Sequence, residues 1–403
     1  MSRQRSNRVV VSPSTDVAAR ARNDALDGLR AIAAVSVFLY HLLVLAPMVA
    51  DFDGPIEFEY YGRNLDIGVE IFFVLSGFLL ARPFFAAWFA GEPGPSLRAF
   101  AIRRSLRIYP AWIAFLVIAV AWGDQFWFLE GTDYQPDDAL RFVQWATLLH
   151  TWFYDPAHSS WTLSVEASFY VFLPLLTTVA FRVVRPKLRN ALLVCAGVTA
   201  VGLFAEWYHV MFVDFGRFVP AALMTLGPGM ALAALVAAPA MPRDVGPRTA
   251  AIAWVAAGVA FVAMSRFVSK SAYVVFGSLP PPGEQVTQAI WQAVVAVVVV
   301  GAVVLSTPGP VSRVAGLQPV AALGRISYSF YLWHLLVLYQ FDWEGVSGPG
   351  AAWWMATQGF VITIAVSTVS YFAIERPAIG WARRLTAAPG SQSQPNSTNL
   401  PSR

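Results

Sequence analysis

The chain has 403 residues, of which 57% are hydrophobic and 13% charged, and a mean hydropathy of +0.55. No ordinary soluble domain of this length is so poor in charge. Its basic excess, +4 at pH 7, lies beside apolar runs, which points to membrane orientation and away from nucleic acid.

Residues 1–24 are polar and arginine-rich and read as a disordered basic tail. The apolar run that follows, LDGLRAIAAVSVFLYHLL at 26–43, is too long for a typical signal core and contains Arg30 and His41. It reads as an uncleaved first membrane helix with Asp27 near its N-cap. Eleven residues are about three helical turns, so Arg30 and His41 share one face, about 16 Å apart. A guanidinium and an imidazole inside a span are costly, and by default they mark a functional site.

At about 20 apolar residues per span, ten spans are expected: 28–48, 65–85, 109–129, 162–182, 190–210, 217–237, 249–268, 286–306, 320–340 and 351–374. An even count puts both termini on one side of the membrane. With that side cytosolic, every Lys and Arg except Arg63, Arg141, Arg217, Arg266 and Lys270 falls in cytosolic segments or helix ends. Acidic residues gather in the opposite loops: Asp51, Asp53, Glu57 and Glu59, then Glu130, Asp133, Asp137 and Asp138, then Asp342 and Glu344. The chain therefore reads as an all-α, multi-pass protein of the inner (plasma) membrane. Its membrane domain covers 25–385, both termini are cytosolic, and the tail at 386–403 is disordered. The single cysteine, Cys195, excludes an intrachain disulfide and is expected to be a packing residue. An apolar patch at 142–154 in the long outer loop is expected to lie on the membrane or re-enter it.

Several polar residues within these spans have both a structural and a chemical reading. His41 is either an imidazole tied to a neighbouring helix or a general base suited to removing a hydroxyl proton near neutral pH. Arg103, Arg104 and Arg107, ahead of Tyr109 and Pro110, are either a positive-inside anchor or a phosphate site built from arginine forks. Glu166, about one turn into the fourth span, must be paired or functional. Trp161 and Ser164 precede it as belt or pocket residues, and Glu70 is a second intramembrane carboxylate. His334 lies inside another span beside Tyr331. His150, His158 and His209 are expected near the outer surface, without a role. No histidine shows a compact metal-ligand spacing, so no metal is expected.

Taken together, these stretches resemble the acyltransferase 3 family of integral membrane O-acyltransferases. The resemblance spans about 24–385. Arg30-x10-His41 is similar to that family's Arg-x10-His motif, whose histidine is the proposed catalytic residue. FFVLSGFLL at 72–80, FAIRRSLRIYP at 100–110, WTLSVEASFY at 161–170, ISYSFYLWH at 326–334 and IERP at 374–377 follow in the family's order. Ala167 and Ser168 depart from the Glu-Gln common in that family. The resemblance implies an acyl-CoA co-substrate with no bound cofactor, its phosphates held by Arg103, Arg104, Arg107 and Arg30. It also implies transfer to a sugar hydroxyl of an envelope glycan, glycolipid or macrolide, with His41 and Glu166 at the reacting centre. A rival reading from another class is a proton-coupled transporter or lipid flippase that uses the buried Glu and His residues as a relay. The lack of an internal repeat weighs against it.

Overall fold

Long apolar sequences with few helix breakers can satisfy their backbone in lipid only as helices, and the chain follows that rule. The computed structural model describes residues 13–45, 61–62, 64–121, 139–152, 160–212, 219–239, 245–269, 281–306, 309–343, 345–346 and 348–387. The helices in order are α1 (Pro13–Leu45), α2 (Ile67–Ala90), α3 (Leu97–Ala121), α4 (Ala139–Ala146), α5 (Trp161–Val183), α6 (Leu188–Phe212) and α7 (Leu223–Ala237). They continue as α8 (Pro247–Ser269), α9 (Pro282–Val304), α10 (Pro310–Ala315), α11 (Gln318–Arg325), α12 (Ser327–Leu338), α13 (Pro349–Ser370) and α14 (Arg376–Leu385). Between α13 and α14 lies a five-residue π-helix, Tyr371–Glu375. An isolated Val245–Ser306 bridge is the β-type pairing among the described residues.

Among the described residues, eight helical segments are long and apolar enough to cross a membrane. Their outer faces agree with that reading. On α5, Val171, Leu175, Val179 and Val183 recur every four residues and are 64%, 62%, 64% and 79% exposed. Such a stripe matches lipid and would be a liability in water. The chain is an all-α, multi-pass membrane protein.

Three sequence-based boundaries change. The first helix begins at Pro13, inside the segment expected to be a disordered tail, because the Ala- and Arg-rich stretch ahead of the span has good helix propensity. Asp27 is accordingly inside the helix and is not an N-cap. The third expected span, 109–129, is a helix that begins twelve residues earlier, at Leu97, and carries the arginine cluster on the same rod. The ninth, 320–340, is broken into α11 and α12 at Ile326, which adopts φ −95° and ψ 7°. Just before the break, a Cβ on Gly324 would collide with the Asp27 carbonyl oxygen, so the glycine lets α11 press directly on α1. The acidic clusters at 51–59 and 130–138, Arg63, Arg217, Lys270, Glu344, His158 and the tail beyond 387 lie outside the described residues.

Close helix approach elsewhere also uses glycine. A Cβ on Gly77 of α2 would meet the Leu226 carbonyl, and one on Gly229 of α7 would meet the Val74 carbonyl, as small residues allow at membrane interfaces. Cys195 is buried in the same core, 1% exposed, in the packing role expected of it. Two further aromatic clusters, around Trp112 and Trp333 and around Phe38 and Phe330, complete the interior.

The described part of the patch at 142–154, residues 142–152, is clasped between α3 and α5. Trp112 Nε1 donates to the Trp145 carbonyl at 3.0 Å and the Tyr109 hydroxyl to the Thr147 carbonyl at 3.2 Å. On the other side Ser160, Ser164 and Ser168, spaced by one helical turn, meet His150 Nε2, the Leu148 carbonyl and Trp152 Nε1 respectively. Leu148 sits at φ +59°, a strained conformation for a branched side chain. His150 is fully buried, contrary to the surface position expected for it, because it packs against Trp112 and Trp145.

Candidate active site

Three helices bring charge, and a fourth brings hydroxyls, to one cavity of about 810 Å³, mouth included, within the usual size range for small-ligand sites. α1 contributes Arg30, α3 contributes Arg104 and Arg107, α5 contributes Thr162 and Glu166, and α12 contributes Ser327, Tyr328 and Tyr331. α2 supplies an apolar wall that includes Phe72, Phe73, Leu75 and Leu79, interrupted by Ser76.

Helical spacing explains which side chains point inward. On α5, Thr162, Glu166 and Tyr170 recur every four residues on the cavity side, opposite the serines that hold the 145–152 strap. Tyr170 donates its hydroxyl to Glu166 Oε1 at 2.7 Å, so the half-buried carboxylate has a partner. On α3, Arg104 and Arg107 are one turn apart and face in, whereas Arg103 is exposed and reaches Thr386 Oγ1 at 3.3 Å. The arginine cluster therefore splits, with 104 and 107 as the inward pair. Arg104 lies over the rings of Phe100 and Tyr170, at 5.7 and 5.9 Å, which fixes its plane.

Arg30 is held by Asp27 at 2.6 Å. The charge of Arg107 bears on Arg30, Arg104, Tyr170, Tyr328 and Glu375, and that of Glu166 on Arg30 and Arg104. Among the described residues no hydrogen bond or ion pair occupies the guanidiniums of Arg104 and Arg107. The cavity thus combines two available forks with a third, neutralised one. Planar guanidiniums so placed can pair bidentately with phosphate oxygens.

Tyr331 connects this cavity to a pair of imidazoles. Its hydroxyl accepts a bond from Thr162 Oγ1 at 2.9 Å, and its ring lies 5.5 Å from that of His334. His334 in turn meets His41, Nε2 to Nδ1, at 3.1 Å. The two residues are 293 positions apart in sequence, and spacing alone gave no sign that they meet. His41 and His334 are outside the cavity lining, as are Glu70, which is half-buried on α2, and Ser164, which faces the strap. Trp161 packs edge-on against Phe73, which does line the cavity.

Three groups near the site escaped the sequence reading as participants. Asp27 pairs with Arg30, and its three-residue spacing on a helix is the available signal. Tyr170 lies one turn beyond Glu166 and binds it. Glu375, 3% exposed in the π-helix, accepts a hydrogen bond from Ser329. A carboxylate two residues ahead of Pro377, in a stretch without strong amphipathic pattern, gives little warning that it is buried.

A family model described as an acyltransferase domain matches residues 23–372. The chain belongs to the acyltransferase 3 family. The family match covers every cavity helix from α1 to α12, both histidines and all three inward arginines, while Glu375 and α14 lie past its end. Relatives include the peptidoglycan O-acetyltransferase OatA of Listeria monocytogenes, 25% identical over 88% of this chain and 55% of that protein. The putative peptidoglycan O-acetyltransferase YrhL of Bacillus subtilis is 23% identical over 87% of this chain and 54% of that one. The putative membrane-bound transacylase BcsY of Komagataeibacter xylinus is 26% identical over 91% and 86%. The chain thus spans about half the length of the first two. No solved structure matches it.

Proposed function

We propose that this acyltransferase 3 protein is an O-acyltransferase of the plasma membrane, moving a short acyl group from acyl-CoA to a sugar hydroxyl of the cell envelope. The observation that carries this reading is the convergence of Arg30, Arg104, Arg107 and Glu166 in one cavity whose wall, Tyr331, touches the His334–His41 pair. Its relatives' names, two of them peptidoglycan O-acetyltransferases, support a glycan acceptor.

The donor enters from the arginine-bearing end, which the charge distribution of the loops assigns to the cytosol. Arg104 and Arg107 take the phosphate oxygens of the donor, and Arg30 supplies further positive field. The thioester lies along the apolar wall of α2 toward Tyr331. His41 removes the proton of the acceptor hydroxyl as that oxygen attacks the thioester carbon, then returns it to the departing thiolate. Glu166, held by Tyr170, balances part of the charge of Arg30 and Arg104. Enclosure within the helices excludes water, which would otherwise hydrolyse the thioester.

Mass spectrometry of envelope glycans and glycolipids from a deletion strain, against the complemented strain, tests the assignment. Loss of a base-labile acyl ester that complementation restores is expected. An unchanged ester inventory, together with proton-coupled flux in liposomes lacking acyl-CoA, would instead establish a transporter.

A further inference from the structure

The His41–His334 contact can be resolved to individual protons. His334 Nδ1 lies 2.6 Å from the Tyr331 carbonyl oxygen, and His41 Nδ1 lies 2.9 Å from the Val37 carbonyl oxygen. Carbonyl oxygens only accept, so each Nδ1 must carry a hydrogen. His334, with its proton on Nδ1, has a lone pair on Nε2, and that atom lies 3.1 Å from His41 Nδ1. The His41 Nδ1–H is therefore shared between Val37 O and His334 Nε2. The opposite arrangement, with the proton on His334 Nε2, would set two nitrogen lone pairs against two carbonyl oxygens.

We infer that His334 is the positioning residue for His41: it accepts the Nδ1 proton, fixes the tautomer that leaves the basic lone pair on His41 Nε2, and shares the positive charge that forms when Nε2 takes a proton. The inference rests on the reading of His41 as the base. In the transfer step the acceptor O–H bond breaks, its proton goes to His41 Nε2, and the oxygen bonds to the acyl carbon. The carbon–sulfur bond of the thioester breaks, and the proton then passes to the thiolate. While the proton is held, His41 donates its Nδ1–H to His334 Nε2 as an imidazolium. His334 can take that proton because its own Nδ1–H remains anchored to Tyr331. In this design a neutral imidazole held by a backbone carbonyl does what a carboxylate does in other base-orienting pairs. A carboxylate so deep in a span would bring its own desolvation cost.

The arrangement also ties the base to the donor cavity. Tyr331 supplies both the carbonyl that anchors His334 and the hydroxyl bound by Thr162 on the cavity wall. The helix turn that sets the tautomer is therefore the turn that lines the donor site.

The test uses the full-length protein in liposomes, labelled with ¹⁵N-histidine, alongside steady-state kinetics of His334→Phe and His334→Gln. Solid-state NMR of the wild type should report His41, assigned by its loss in His41→Ala, as the Nδ1–H tautomer. His334→Phe keeps ring volume but removes the acceptor. It should lower kcat by about 100-fold or more, leave the KM for acyl-CoA within about threefold, and give His41 mixed tautomers. His334→Gln, whose carbonyl oxygen accepts, should restore a large part of kcat and the single tautomer. An Nε2–H tautomer for His41 in the wild type overturns the inference, as does a kcat for His334→Phe within about threefold of wild type. Turnover retained by His41→Ala, with the tautomer as stated, would remove the base assignment and leave the pair's geometry standing.

Discussion

Truncating the arginines one at a time separates a donor site from a membrane anchor. Arg104 and Arg107 face the cavity with no hydrogen bond or ion pair among the described residues, whereas Arg103 is exposed and donates to Thr386. A hydrogen bond to a charged group contributes about 1.5–3 kcal/mol, so losing one fork from a bound phosphate should weaken donor affinity by about 10- to 150-fold. Arg103→Ala removes a solvent-screened charge and should change affinity by no more than about threefold. The double variant Arg104→Ala/Arg107→Ala should lose less than the sum of the singles, because both forks address neighbouring oxygens of one ligand. Equilibrium binding of a non-hydrolysable acyl-CoA analogue to the protein in nanodiscs measures all four. Equal losses for Arg103→Ala and Arg107→Ala would refute the division of the cluster and return it to a generic basic anchor.

The remaining predictions concern packing, pH and the carboxylate. Gly77→Ala forces α2 and α7 apart and should cost about 1–3 kcal/mol, read as a lower midpoint of thermal unfolding. Gly94→Ala, where a Cβ meets nothing within 4 Å, should leave that midpoint unchanged. Burial holds the His150 imidazole down to about 4, below the unfolded value of about 6.5, so protonation favours the unfolded chain. Its stability contribution is intact above pH 6.5 and is lost as pH falls toward 4, by up to about 3 kcal/mol. His150→Gln should flatten the difference in unfolding midpoint between pH 7.5 and pH 5, and an unchanged slope would contradict the burial of this ring. Tyr170→Phe removes one hydrogen bond to Glu166, worth about 1.5 kcal/mol, and should slow acyl transfer by about tenfold. Wild-type turnover in that variant would show that Glu166 needs no partner.

Much of this site was legible because a helix repeats every 3.6 residues. The shared face of Arg30 and His41 follows from spacing within a single rod, and the cost of charge in lipid marked out both of them and Glu166. What spacing does not carry is which rods touch. The meeting of His41 with His334, and of Tyr331 with Thr162, depends on α1, α5 and α12 packing together across more than a hundred residues of chain. The inward turn of Arg104 rather than Arg103 was also hidden, since both satisfy the local pattern and only the aromatic rings of Phe100 and Tyr170 select between them. Gly324 shows a third kind of blindness. In sequence it is one glycine in an apolar run, and its role appears only when α11 presses on the backbone of α1 at Asp27.

The central claim, that His41 is the group that activates the acceptor, has a direct test. Wild-type protein and His41→Ala are reconstituted in liposomes with radiolabelled acetyl-CoA and envelope glycan isolated from a deletion strain, and label in the glycan is counted. The account predicts base-labile incorporation by the wild type and none above background by His41→Ala, with acyl-CoA binding retained in both. Incorporation by His41→Ala at a rate near that of the wild type would contradict it.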